Sequence, residues 1–186
     1  MGHGGDAIAE LMTDHREVEE MFARIQGMPG GGQELRDVVD EVTIELVRHS
    51  IAEEEYLYPA VREYIEGGDR IADKEIADHG RVEELLKQLE KADIDDARTS
   101  PLLRQLMDEV SAHVRDEEDN LFPMLRQTCS ADALNKLGDK IRRAKSMAPT
   151  RPHPSAPSTP PANKLLAPGA GLVDRARDLI TGRGKS

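Results

Sequence analysis

Cysteine, tryptophan and long apolar runs are what this chain of 186 residues has least of: one Cys, no Trp, and only three Tyr and two Phe. The single thiol, Cys129, can form neither an internal disulfide nor a cysteine-based zinc cluster, so nothing in the chain calls for an oxidising compartment. Apolar runs last a few residues, against the ~20 that a membrane span requires. The opening MGHGGDAIAE has neither the basic n-region nor the apolar h-region of a signal peptide. A cytoplasmic protein is the expectation. Basic residues are outnumbered, 25 Lys and Arg against 36 Asp and Glu, for a formal charge of −11. Nucleic-acid binders draw affinity from Lys and Arg on phosphates, so no nucleic-acid partner is expected. Few aromatic and β-branched residues beside plentiful Glu, Leu, Ala and Arg favour helices over sheets.

The charge is unevenly divided. From Met147 onward six Lys or Arg face two Asp, a net of +4, which leaves residues 1–146 with 19 bases, 34 acids and a net of −15. Six of the eleven prolines lie between Pro149 and Pro161, where an extended linker is expected because such a segment cannot build a core. Three parts follow: a folded domain over 1–146, a Pro-rich linker over 147–170, and a short basic amphipathic helix and tail over 171–186. In that last part Leu172, Val173, Ala176, Leu179 and Ile180 share one face at helical spacing.

Within the first part, breaks at Gly27–Gly32, Gly67–Gly68, Asp93–Ser100 and Thr128–Ser130 separate four helical stretches. Ser100 before Pro101 reads as an N-cap, and Ser130 caps a fifth helix running to about Ser146. The fold class is all-α: an up-down-up-down four-helix bundle with a short fifth helix and a flexible Pro-rich C-terminal tail. Pro59 and Pro123 each fall inside an apparent helix, which they must kink or restart.

An internal repeat carries the chemistry. A shift of 64 residues superposes 14–62 on 78–126 without a gap, with twelve identities in 49 positions. They include Asp14/Asp78, His15/His79, His49/His113, Glu53/Glu117, Glu54/Glu118 and Pro59/Pro123. Each half holds one D-H-x-x-V-E-E and one H-x-x-x-E-E-x-x-L-x-P. On helical faces His15 joins Ile8, Leu11, Val18, Phe22 and Ile25, and His79 joins Ala72, Val82, Leu86 and Leu89. His49 and Glu53 follow Val42 and Leu46; His113 and Glu117 follow Leu106 and Val110, since an i, i+4 step turns only ~40° around the helix.

A lone histidine on an apolar face is ordinarily a satisfied core residue, and an isolated His/Glu pair a surface contact. Four interior histidines, one per helix, with two interior glutamates at matched depth are a different case. Unpaired buried carboxylates cost several kcal/mol each, and two metal ions would neutralise both while taking up the imidazole nitrogens. A set of imidazoles and carboxylates without thiolate suits iron or manganese and accepts zinc. The natural assignment gives each metal two histidines, with Glu53 and Glu117 bridging. Asp14 and Asp78 are candidates to accept an imidazole N–H. Tyr56, at i+3 from Glu53, stays on the metal face of an ideal helix, whereas Tyr58 falls on the far face unless Pro59 turns it. His3 and His153, outside the repeat, are given no metal role.

With His15 on the first helix, H49-SIA-E53 on the second, His79 on the third, H113-VRD-E117 on the fourth, and both E-x-x-L-x-P continuations, residues 5 to about 127 resemble the hemerythrin-like, or HHE cation-binding, family. The resemblance implies a non-heme di-iron centre, two iron ions bridged by carboxylates and by an oxo or hydroxo group. It also implies a small ligand, O2, NO or peroxide, in redox or stress response, with a catalase-like or NO-detoxifying oxidoreductase activity left open. The alternative is iron sensing, iron delivery or iron–sulfur centre repair. Classical oxygen carriers of the family have a fifth imidazole where this chain has Glu83, which weakens an oxygen-carrier reading and makes Glu83 a candidate at the site. Docking of the C-terminal helix on a membrane, on a partner protein or back on the acidic bundle is a separate expectation.

Overall fold

Helix α1 (Ala7–Gly27) starts at Asp6, whose side chain accepts the Ala9 N–H at 2.9 Å, a side-chain cap for one otherwise orphaned donor. A computed structural model describes residues 4–28, 31–181 and 183 of the chain. His3, two residues of the first glycine-rich break and the end of the tail lie outside the described residues. Helix α2 (Gly32–Ala52) leads through a wide turn, Glu53–Leu57, into α3 (Tyr58–Tyr64). Helix α4 (Gly68–Lys91) follows the Gly67 turn, and α5 (Thr99–Asp116) leads through a second wide turn, Glu117–Leu121, into α6 (Phe122–Thr128). These segments pack as the expected antiparallel four-helix bundle, and no strand occurs among the described residues.

The apolar stripes explain the packing. Val38, Val39, Val42, Leu46, Leu86 and Leu106 belong to one buried cluster. Ile8, Leu11, Leu57, Leu125 and Ile141 belong to another. His15, His49, His79 and Glu117 fall between the positions of these two clusters along their helices, with His113 and Glu53 at the clusters' edges. Each fully buried Leu or Ile contributes about 1.5–3 kcal/mol, so the apolar clusters at either end supply the stabilisation that offsets a polar middle.

Both wide turns are π-helical and both precede a proline. Pro59 has no N–H for the carbonyl four residues back, and the chain answers by widening: the Tyr58 N–H bonds to Glu53 O and the Phe122 N–H to Glu117 O, five residues back. In such a turn residues i and i+5 are stacked, so Tyr58 comes round to the side of Glu53. Pro59 and Pro123 then sit in the first turn of α3 and α6, where proline is tolerated.

Two expected caps have different outcomes. Ser130 caps helix α7 (Ala131–Met147), accepting the Ala133 N–H at 3.2 Å. Ser100 does not cap α5, which begins one residue earlier behind Arg98; the Thr99 hydroxyl instead donates to Asp93 O at 2.7 Å.

The tail differs most from expectation. Helix α8 runs Ala162–Thr181, starting inside the stretch read as linker, with Pro168 in its interior. Its apolar face is turned outward: Leu172, Val173, Leu179 and Ile180 are all exposed, Ile180 to 86%. The docked face carries Asn163, Ala167, Asp174 and Asp178, all buried. Polar bonds hold it there. The Arg151 guanidinium reaches Asp178 Oδ1 and Glu90 Oε1 at 2.7 Å each, and the Arg151 N–H donates to Asp174 Oδ2 at 3.1 Å. At Gly171 a Cβ would meet Met147 O at 2.4 Å, so only glycine lets α8 approach the end of α7 this closely. Among the described residues no helix is long and apolar enough to cross a membrane.

Candidate metal centre

Four helices deliver one imidazole each to the polar middle. His15 of α1 and His49 of α2 meet with their Nε2 atoms 3.3 Å apart, and His79 of α4 and His113 of α5 meet likewise at 3.2 Å. Glu53 Oε2 lies 3.1 Å from His49 Nε2 and 3.3 Å from His79 Nε2, so it stands between the two pairs. Glu117 Oε2 does the same, 3.4 Å from His15 Nε2 and 3.6 Å from His113 Nε2. Both glutamates are fully buried, and Glu53 Oε1 and Glu117 Oε2 have no hydrogen-bond donor. Orphaned carboxylate oxygens at zero exposure are costly unless a cation answers them. Their donor atoms lie within 4.8 Å of one another in the sets His15–His49–Glu53–Glu117, Glu53–His79–His113 and Glu75–His113–Glu117. The residues present therefore fit a pair of metal ions, and all six anticipated from the repeat are brought together.

Each imidazole has a carboxylate at its other nitrogen. Glu118 Oε1 is 2.8 Å from His15 Nδ1, Asp14 Oδ2 is 3.1 Å from His49 Nδ1, and Glu54 Oε1 is 3.2 Å from His79 Nδ1. Such a partner fixes the tautomer and leaves Nε2 to face the metal position. Glu118 and Glu54 are repeat mates and obey the two-fold pattern. Asp14 and Asp78 do not. Asp14 serves His49 on the neighbouring helix and is held by buried Lys145 of α7, whereas Asp78 turns away to Lys74 and Arg81. Glu75 replaces it, with Oε2 2.9 Å from His113 Nδ1, an ion-pair distance at an angle that makes no hydrogen bond. Glu75 escaped the repeat analysis because its mate is Leu11; its only sequence signal is an i, i+4 step to His79.

The electrostatics favour shared protons in the absence of metal. Burial depresses His79, but hydrogen bonds to Glu53 and Glu54 carry it up to about 10. His49 is raised well above the ordinary histidine value, the charge of Glu53 and the hydrogen bond to Asp14 outweighing burial. Burial pushes Glu53 up, yet His49 and His79 hold it well below the usual carboxylate range. His49 and His79 thus stand as imidazolium partners of the Glu53 carboxylate, with protons that a metal would displace.

Tyr58 is the residue beside the cluster that ideal-helix geometry puts on the far face and the turn at Pro59 brings round. Its hydroxyl lies 3.0 Å from His79 Nε2, and it can donate to Glu117 Oε1 at 3.2 Å or Glu53 Oε2 at 3.4 Å. Burial and the charge of Glu117 raise it well above 10, which keeps it a neutral phenol. Tyr56, expected on the metal face, has its ring under Lys164 Nζ of α8 at 4.1 Å. The π turn explains both outcomes, since it rotates everything after Glu53. Glu83 accepts the His153 backbone N–H at 2.7 Å and belongs to the tail contact, not to the imidazole cluster. His153 Nε2 meets Asp174 at 2.9 Å, away from the centre.

A hollow of about 20 Å3 abuts all four imidazoles, walled by Val18, Leu46, Val82, Val110 and Val114. By this measure it has room for about one water-sized molecule.

The hemerythrin HHE cation binding domain family matches residues 6–125, the segment that carries all six residues. The chain belongs to this family. This hemerythrin-like chain is 28% identical over 171 residues to a hemerythrin-like protein of Schizosaccharomyces pombe, covering 91% of the chain and 84% of that protein. It is 30% identical over 137 residues to a DNA nickase of Nostoc, covering 73% of the chain but only 38% of that longer protein. A hemerythrin HHE cation binding domain-containing protein from Mycobacterium kansasii shares the fold, with a TM-score of 0.67 at 21% identity over 76% of this chain and 85% of that one.

Proposed function

We propose that this hemerythrin-like chain is a non-heme di-iron protein that binds or turns over a small ligand, O2, NO or peroxide, in redox or stress response. The supporting observation is the buried set of four imidazoles and two glutamates, abutted by a hollow of about 20 Å3 with room for one molecule of about a water's size. His15 and His49 would hold one iron, His79 and His113 the other, with Glu53 and Glu117 between them and an oxygen bridge as in the family at large. Bound iron would supply redox equivalents and an open position for the ligand. Asp14, Glu54 and Glu118 orient the imidazoles, valine and leucine side chains make one wall of the hollow apolar, and the neutral Tyr58 hydroxyl offers a proton or hydrogen bond beside His79.

Iron sensing or delivery calls for metal that is readily given up, and an enclosed, carboxylate-backed donor set supports retention instead. Action on DNA, named for the Nostoc relative, is not carried over, because the bundle has 34 acids against 19 bases. The test is metal analysis and an optical spectrum of the purified protein, followed by anaerobic reduction and mixing with O2, NO and peroxide in turn. Two irons per chain and an adduct or peroxide decay absent from His49→Ala are expected. Stoichiometric zinc, or no reaction beyond that variant's, would overturn the reading.

A further inference from the structure

A second hollow, of about 880 Å3, lies between the bundle and the C-terminal segment. Its inner wall is Leu46, Val47 and Ile51 of α2 with Val82 and Leu86 of α4, and its outer wall is the Pro-rich segment with Leu166, Ala167 and Ala170 of α8. It follows α4 from His79 to Lys91, about 18 Å of helix. The two ends differ chemically. Ser50, Glu54 and His79 stand at the inner end, where Leu46, Ser50, His79 and Val82 also line the smaller hollow beside the imidazoles. Lys87 and Lys91 stand at the outer end, Lys87 paired with Glu90 Oε2 at 2.8 Å and Lys91 exposed, with Glu84 at an exposed rim. Pockets for small organic molecules measure about 300–1,000 Å3, a range that includes this one. Its lining is mixed, with an apolar floor and with Glu54 of the first wide turn and Glu83 and Glu84 of α4 set before the lysines are reached.

The outer wall is fastened by specific bonds. His153 N–H to Glu83, Lys87 to Pro152 O at 3.1 Å, and Arg151 between Glu90 and Asp178 tie it to α4, and α8 shows its apolar face to solvent, while Leu46, Val47, Val82 and Leu86 of the inner wall are buried. A tail docked merely to cover the bundle would turn that apolar face inward and close the space.

We propose that this hollow binds an elongated amphiphilic organic anion, its head group at Lys91, its apolar chain along Val82, Leu86 and Leu46, and its far end beside His79. Placing that end at a reactive centre rests on the di-metal reading; binding itself does not, so the two can fail separately.

The test uses the full-length protein and the fluorescent probe 11-(dansylamino)undecanoate. Saturable binding at one site is expected, displaced by dodecanoate and at least about tenfold less well by dodecyltrimethylammonium, which has the same chain and the opposite charge. Ala170→Trp, filling the hollow from the tail side, should weaken the probe by about tenfold or more with helicity and metal content unchanged. Lys91→Glu, an exposed change that leaves folding alone, should weaken it about threefold. Absence of saturable binding, equal displacement by the cation, or binding indifferent to both substitutions would overturn the proposal.

Discussion

Glu54 shows how much of the candidate centre depends on residues that do not face the metal positions. Its carboxylate holds His79 Nδ1, and its mate Glu118 holds His15 Nδ1 across the pseudo-two-fold. Replacing such a partner typically costs about 10–100-fold in metal affinity. Glu54→Gln should therefore weaken iron binding by that order, read by competition with a chelator. Glu55→Gln, equally buried at 7% exposure but touching none of the imidazoles, should leave it unchanged. Equal losses in both variants would mean that burial of charge, not orientation of His79, sets the affinity. The six inward-facing residues were legible because histidine and glutamate recur at helical spacing in both halves of the repeat. Glu54 and Glu118 recur too, but their role was not legible, since each crosses to a helix other than its own. Glu75 left still less trace, because the two-fold breaks where Lys145 takes Asp14.

At the scale of elements, the pattern of hydrophobic residues located the four bundle helices and the Ser130-capped α7 but misread two features whose cause is backbone geometry or buried charge. The π turns before Pro59 and Pro123 are invisible to a 3.6-residue period, and one extra residue per turn exchanged the positions of Tyr56 and Tyr58. In α8 the period was seen and its direction was reversed: burying Asp174 and Asp178 against Arg151 won over burying Leu172 and Ile180. Breaking a buried ion pair from one side costs about 3–5 kcal/mol, whereas exposed substitutions stay within about 0.5 kcal/mol. Asp178→Ala, which removes the acceptor on α8 for both the Arg151 guanidinium and the Thr150 hydroxyl and leaves that guanidinium paired with Glu90 alone, should release α8 and the Pro-rich segment, seen as faster amide exchange and proteolysis there. Leu179→Ser, at a position 69% exposed, should not. The opposite ranking would show that α8 is held by its apolar face.

Over the whole molecule, the −11 divides into a strongly acidic bundle and a basic tail docked on it, and the bundle's most deeply buried acids have no bulk solvent to screen them. Protons and metal compete for the task of neutralising them. Without metal, His79 titrates at about 10 against an ordinary value of 6.5, so the stability it contributes is complete below about 6.5 and is lost as pH rises through 10. His49 shifts in the same direction. Glu53 is depressed, so its contribution is present above the ordinary carboxylate range and is lost as pH falls through its lowered value. The metal-free protein should therefore show a falling Tm between pH 7 and 10. Metal ions take over the neutralising charge and bind only the folded chain, which raises Tm by mass action. They must first displace the imidazolium protons, so loading near pH 7 should release protons to the buffer and tighten as pH rises. The measurable consequence is that the Tm difference between iron-loaded and chelator-treated protein widens from pH 7 to pH 10. A difference that stays constant or narrows, with no proton release on loading, would mean that the imidazole pairs are already neutral and that metal adds to the fold without replacing the charge the protons supply.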